Sequence, residues 1–213
     1  MKVFISAMLL LATGSALAYF FWYKPKFNHT IKYATCVNSI DVNARAMIRL
    51  KQKAAGFRLF NQAADYDSGY CFLIDMKIPS GKKRFFVYNL EKDSVETAGL
   101  VTHGSGSDNG TDQLYFSNIP NSNCTSLGRY KIGASYQGKF GLAFKLYGLD
   151  KTNSKAFERF VVLHAHSCVP EEEVSPLYIC ESWGCPTVSP TFLTSLKKYI
   201  DKADKPIILW IYY

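Results

Sequence analysis

From Tyr70 to the C-terminus, short β-prone runs alternate with turn residues, and this repetition limits the chain to few folds. Tyr70-Cys71-Phe72-Leu73-Ile74-Asp75-Met76 is followed by the turn Pro79-Ser80-Gly81-Lys82, and then by the runs Arg84–Leu90 and Val95–His103. Further runs lie around Leu127–Ile132, Leu142–Leu149, Phe160–His164 and Ile207–Tyr212. A series of short strands separated by turns predicts a sandwich or barrel. An aromatic content of 15% fits the same reading, because aromatic side chains pack well on a pleated surface. Two helices are expected beside the strands. Over 39–62, Val42, Ala46 and Leu50 recur at helical spacing with Met47 beside them. Ser39 or Asp41 is the expected cap, and Gly56 is expected to end or break the helix. The second begins at Pro190 behind Ser189 as N-cap, and Phe192, Leu193, Leu196, Tyr199 and Ile200 form its apolar stripe. The expected fold class is therefore mainly β, sandwich- or barrel-like, with a helical N-terminal segment and one helix after Cys185.

The N-terminus points out of the cytoplasm. Lys2 precedes an apolar run from Val3 to Ala12 and then small residues ending in Ala16-Leu17-Ala18, which fits a signal-peptidase site. Apolarity continues through Tyr23, so the alternative is a retained anchor, with membrane attachment through residues 3–23. Cleavage is favoured, because the Ala-x-Ala site follows a short apolar run. Either way the remaining chain is exported to the periplasm or cell envelope. The expected organisation is a leader or anchor over 1–23, a helical pre-segment over 24–69 and a main domain over 70–213. The net charge of +8 suits an anionic partner. The basic residues are scattered and no zinc-finger spacing appears, so nucleic acid is not an expected partner. A monomer without cofactor is expected.

Export permits disulfides. Cys36, Cys71, Cys124, Cys168, Cys180 and Cys185 allow fifteen pairings, among which sequence cannot choose. Cys168 and Cys180 flank a loop holding Glu171-Glu172-Glu173, and a bridge between them would staple it. Cys185 stands apart. It lies in Ser182-Trp183-Gly184-Cys185-Pro186, just before the late helix, whose N-terminal end favours a thiolate. Gly184 lets the backbone turn sharply, and the N–H groups of Gly184 and Cys185 are candidate oxyanion donors. A cysteine nucleophile needs a base. His164 and His166 share one face at a strand end, and His103 ends another strand. Three histidines and a cysteine also raise metal binding, but no ligand spacing supports it, so no metal is expected.

These stretches resemble the catalytic domain of murein L,D-transpeptidases with a YkuD-type fold, in the subfamily whose motif reads S-x-G-C-P. Leu100-Val101-Thr102-His103-Gly104, Phe116-Ser117-Asn118, Ser126-Leu127-Gly128-Arg129-Tyr130, Tyr136-x-Gly138 and Leu146-Tyr147-Gly148-Leu149 match in the family's order. The resemblance runs from about Tyr70 to Tyr213. It implies acyl transfer on peptidoglycan stem tetrapeptides through a cysteine thioester, ending in 3→3 cross-links. It also implies Cys185 as nucleophile, His164 as base and Ser182 as the residue that opens the motif. His103, Trp183 and His166 are the implied substrate-binding residues, with His166 a competitor for the base role. The usual arginine after the nucleophile is missing, which leaves Arg129 and Lys131 as candidates for carboxylate recognition. Three alternatives stay open: an L,D-carboxypeptidase acting on the same stems, a different wall-directed cysteine peptidase, and a non-catalytic wall-binding domain stapled by three bridges.

Overall fold

The computed structural model describes residues 43–63, 65–111 and 113–213. The leader or anchor over 1–23, Cys36 and the caps expected at Ser39 and Asp41 lie outside these residues. Among the described residues, no helix is long and apolar enough to cross a membrane.

The strands are β1 (Tyr70–Asp75), β2 (Phe85–Asn89), β3 (Ser94–Gly99), β4 (Gly128–Gly138), β5 (Gly141–Gly148), β6 (Val162–Ala165), β7 (Thr187–Val188) and β8 (Ile208–Tyr212). They form one sheet in the order β3-β2-β1-β8-β4-β5-β6-β7. Pairing is antiparallel except at β1–β8 and β6–β7. The two ends of the sheet meet. Val101, just beyond β3, is bridged to Val188 of β7, and Thr102 N–H donates to Thr187 O. This seam gives the sheet its barrel-like closure.

Both faces of the sheet's centre are buried, which is why β1 reads as a nearly unbroken apolar run. Phe72 and Ile74 point to one core with Phe85, Val87, Tyr130, Leu163 and Leu209. Cys71 and Leu73 point to the other with Phe86, Tyr88, Ile208 and Tyr212. Helix α1 (Ala44–Asn61) covers the second core with Ala46, Leu50, Ala54 and Phe57. Its N-cap is Asn43, whose side chain accepts from Ala46 N at 2.8 Å. The helix runs through Gly56 rather than ending there. A glycine costs about 1 kcal/mol in a helix interior, and burial of the four-residue face outweighs it. Helix α2 (Pro190–Lys202) covers the first core with Phe192, Leu193 and Leu196, and Ser189 caps it by accepting from Phe192 N. The expected mainly-β class with two helices is what the chain adopts.

Several strand boundaries differ from expectation: β3 ends at Gly99, short of His103, and β6 begins at Val162 rather than at Phe160. β4 extends past Ile132 to Gly138, although residues 133–138 carry no apolar alternation. Hairpin pairing with β5 across Lys139-Phe140 holds this half, with a register shift between Ile132 and Ser135. β7 has two residues, too short to leave a periodic signal.

Cys168 and Cys180 form a disulfide, as the flanked loop suggested. Cys71, Cys124 and Cys185 are unpaired, so the three-bridge staple is not built. Val169 and Ile179 of the bridged loop pack on Leu100. Its Glu171 accepts from Ser189 Oγ and Thr191 N at the start of α2.

Candidate active site

The cysteine motif forms a tight turn between the bridged loop and β7. Gly184 has φ of +106°, a conformation that L side chains rarely adopt, and a Cβ there would stand 2.7 Å from Cys124 O. Ser182 closes the turn. Its hydroxyl donates to Cys185 O at 2.7 Å and accepts from Gly184 N at 3.2 Å. Thr102 Oγ1 donates to Cys185 O as well, at 3.2 Å. Ser182 N–H reaches back to His103 O at 2.9 Å, in the bridge that joins Gly104 to Ser182. Ser182 thus holds the turn and touches no reacting atom. Of the two N–H groups expected to face an oxyanion, that of Gly184 is taken by Ser182. The N–H of Cys185 makes no hydrogen bond among the described residues.

The Cys185 sulfur meets Val162 N at 3.5 Å and Phe160 O at 3.8 Å, both from the chain entering β6. Burial raises the thiol pKa above its ordinary value, against weaker opposing effects of the Val162 N–H and the Arg159 charge. The expectation of a helix-stabilised thiolate therefore fails. β7 separates Cys185 from α2, and Glu171 occupies the helix start. The sign of this shift gives a prediction. A raised pKa keeps the sulfur protonated at neutral pH, and only thiolate reacts with iodoacetamide. Alkylation of Cys185, followed by mass mapping, should therefore be slow at neutral pH and still climbing near pH 9, above the ordinary cysteine value of about 8.5. A rate that levels off below about pH 8 would contradict the burial argument.

His164 sits on β6 directly opposite Thr187 of β7, two residues beyond Cys185. Its Nδ1 lies 3.1 Å from Ala165 O and its Nε2 3.0 Å from Thr187 Oγ1. The carbonyl only accepts, so Nδ1 carries the proton and Nε2 keeps the lone pair that receives the Thr187 hydroxyl. Burial lowers the His164 pKa, so the ring is neutral. Neither histidine ring is among the hydrogen-bond partners of the sulfur. His166 is turned elsewhere. Its Nδ1 accepts from Cys168 N, and its ring meets the Phe140 ring edge-on in a cavity lined by Leu142, Pro190 and Leu193. Phe140 also stacks on His164, at 5.4 Å between centroids.

Sequence reasoning missed Arg159, which leaves no motif signal beyond its place before β6. Its guanidinium donates to Cys124 O at 2.6 Å, Ser117 O at 2.9 Å and Ser126 Oγ at 3.2 Å, and it lies against Gly184. No carboxylate pairs with it among the described residues, and its charge lowers the thiol pKa by less than burial raises it. Phe160 next to it has φ of +55° and is 84% exposed, while Trp183 is 82% exposed. A bulky residue at positive φ is strained, a condition that clusters at functional sites. Two exposed aromatic rings therefore belong to the segments that hold the sulfur. The arginine candidate from the sequence is not free for carboxylate recognition. Arg129 is ion-paired with Asp150 and stacked on Phe60. Lys131 lies over Tyr147.

An unpaired cysteine on a tight turn, an N–H unengaged among the described residues and a strand-borne imidazole opposite Thr187 are groups from which a cysteine acyl-transfer or hydrolytic site can be built. The chain belongs to the L,D-transpeptidase catalytic domain family, whose model matches residues 43–212. No curated protein sequence matches it. Among solved structures it is similar to Bd1075 of Bdellovibrio bacteriovorus, at 19% identity, covering 68% of this chain and 48% of that one, with a TM-score of 0.41. It is also similar to the helical cell shape determining protein Pgp2 of Campylobacter jejuni, at 13% identity, covering 76% and 55%, with a TM-score of 0.43. A third is an L,D-transpeptidase of Xylanimonas cellulosilytica, at 16% identity, covering 76% and 77%, with a TM-score of 0.37. The match spans about half the length of the first two structures.

Proposed function

We propose that this protein is an exported acyl transferase that acts on peptidoglycan stem tetrapeptides through a thioester on Cys185. The observation that carries the reading is the Cys185 turn itself. It presents an unpaired sulfur beside an N–H that no described residue uses. In this reading His164 Nε2 accepts the thiol proton, and the Thr187 hydroxyl turns away from the nitrogen it now occupies. The thiolate attacks the carbonyl of the diamino acid at stem position three. The Cys185 N–H stabilises the oxyanion, and the terminal D-alanine leaves with the proton held by His164. Gly184 N–H is a second donor once Ser182 Oγ releases it. The neutral thiol and neutral imidazole of the resting site make His164 a base at the moment of attack rather than a partner in a standing ion pair. Trp183 and Phe160 supply exposed aromatic surface for the stem, and the positive net charge suits an anionic wall.

The acylated enzyme is resolved by the side-chain amine of a second stem, which gives a 3→3 cross-link, or by water, which makes the protein an L,D-carboxypeptidase. Incubation of purified protein with disaccharide tetrapeptides, read by mass spectrometry, separates these outcomes. A dimer lacking one D-alanine is expected for transfer, and a tripeptide for hydrolysis. Unchanged tetrapeptide after prolonged incubation would refute both.

A further inference from the structure

Beside the cysteine turn lies a cavity of about 540 Å³ whose lining includes Lys77, His103, Asp108, Tyr178, Glu181 and Tyr213. It abuts the turn directly, since Glu181 precedes Ser182 and Ser182 N–H bonds to His103 O. The ring of His103 is fixed from behind. Fully buried Arg84 donates from Nη2 to His103 Nδ1 at 3.0 Å, and from Nε and Nη1 to Val101 O and Ile78 O. A guanidinium only donates, so Nδ1 bears the lone pair and the neutral ring carries its proton on Nε2. Burial, then the Arg84 charge, push the His103 pKa down to about 4, so the ring stays neutral in ordinary buffers. His103 is 5% exposed, and its Nε2–H finds no hydrogen-bond partner among the described residues. The nearest carboxylate oxygen, Glu181 Oε1, is 3.5 Å away, outside good hydrogen-bond range. A buried donor left in this state costs about 1–3 kcal/mol.

Two carboxylates face this donor. Ligating atoms of His103, Asp108 and Glu181 all lie within 4.8 Å of one another. Neither acid pairs with a lysine or arginine among the described residues. Burial, then the charge of Asp108 and a hydrogen bond with it, raise the Glu181 pKa. A cation held between the two carboxylates would relieve their mutual repulsion. A metal ion suits them but not His103, because ligation needs a lone pair on Nε2 and Arg84 fixes it on the other nitrogen. A bare ammonium suits them too, but it would set one donor against another at Nε2. A group with an ammonium and an anionic oxygen side by side satisfies all three residues. Lys77 at the same cavity, with Nζ 5.5 Å from the Tyr213 ring centre, adds positive charge for the oxygen.

We propose that this cavity binds the zwitterionic head group of an α-amino acid, its ammonium between Asp108 and Glu181 and its carboxylate on His103 Nε2–H. The binding stands on its own. Only the assignment of that head group to a stem peptide rests on the acyl-transfer reading. The test uses the full chain, as wild type and as Cys185→Ala, with isotope-labelled histidine, and follows the His103 ring signals by NMR. The probes are D- and L-norleucine, hexanoate, which lacks the ammonium, pentylamine, which lacks the carboxylate, and zinc chloride. At least one norleucine enantiomer should shift His103 saturably, about tenfold more tightly than hexanoate or pentylamine. Glu181→Gln and Asp108→Asn should each weaken that response about tenfold with an unchanged melting temperature. Equal binding of pentylamine or hexanoate, tighter saturation by zinc, or no saturable response would each overturn the proposal. Norleucine binding by a protein that yields no product from tetrapeptides would sink the acyl-transfer reading and leave this one intact. Products without norleucine binding would do the reverse.

Discussion

Cys185→Ala is expected to abolish both cross-link and tripeptide formation, a loss of about a thousandfold or more, because in the proposed reaction the residue supplies the bond-forming atom. The same change should leave the fold intact. Among the described residues the sulfur's hydrogen bonds are two long ones, at 3.5 and 3.8 Å, to backbone groups at the start of β6. The turn is held by other atoms. Ser182 and Thr102 hydroxyls bond the Cys185 carbonyl, which alanine retains. The melting temperature should therefore move by only a few degrees, as for a change of about 1 kcal/mol. Mass spectrometry of tetrapeptide digests, paired with a thermal melt, checks both halves. Residual product from a well-folded Cys185→Ala protein would take the nucleophile role from this residue.

Gly104→Ala is the second large effect. Gly104 lies where the chain leaving His103 passes the cysteine turn, bridged to Ser182. A Cβ there would stand 2.1 Å from Asn123 O and 2.9 Å from Gly184 Cα. Both are backbone atoms, so no side-chain rotation relieves the clash and the segments must separate. Overpacking of this kind costs about 1–3 kcal/mol. The displacement falls on Gly184, the residue before Cys185, and in the proposed reaction misplacement by about 1 Å costs on the order of a hundredfold in rate. Both a lowered melting temperature and at least that loss of turnover are expected. Normal turnover in Gly104→Ala would show that the turn tolerates the shift.

The regular elements were legible where one local signal sufficed. Ser189 and Pro190 mark the start of α2 because capping and fixed φ are properties of neighbouring residues. Cys185 was legible because Gly184, with its positive φ, precedes it in sequence. What stayed hidden depends on distant contacts. The outer half of β4 is a strand because β5 pairs with it, and β7 is a strand because β6 and Val101 flank it. Arg159 reaches the turn through carbonyls of the 117–126 segment, and no spacing announces such an approach. Glu171 at the start of α2 removed the helix end that the sequence offered to the thiol.

The seam between Val101 and Val188 bears on when the cysteine turn takes its shape. It joins a segment that precedes β4 to one that follows β6, and α2 and β8, which come after it in sequence, fill the barrel. Contacts of such sequence separation form late, after local hairpins such as β4–β5. Until the seam closes, Thr102 and Gly104 have nothing to hold and the Cys185 turn has no fixed shape. The Cys185 turn therefore takes its geometry only with the completed fold.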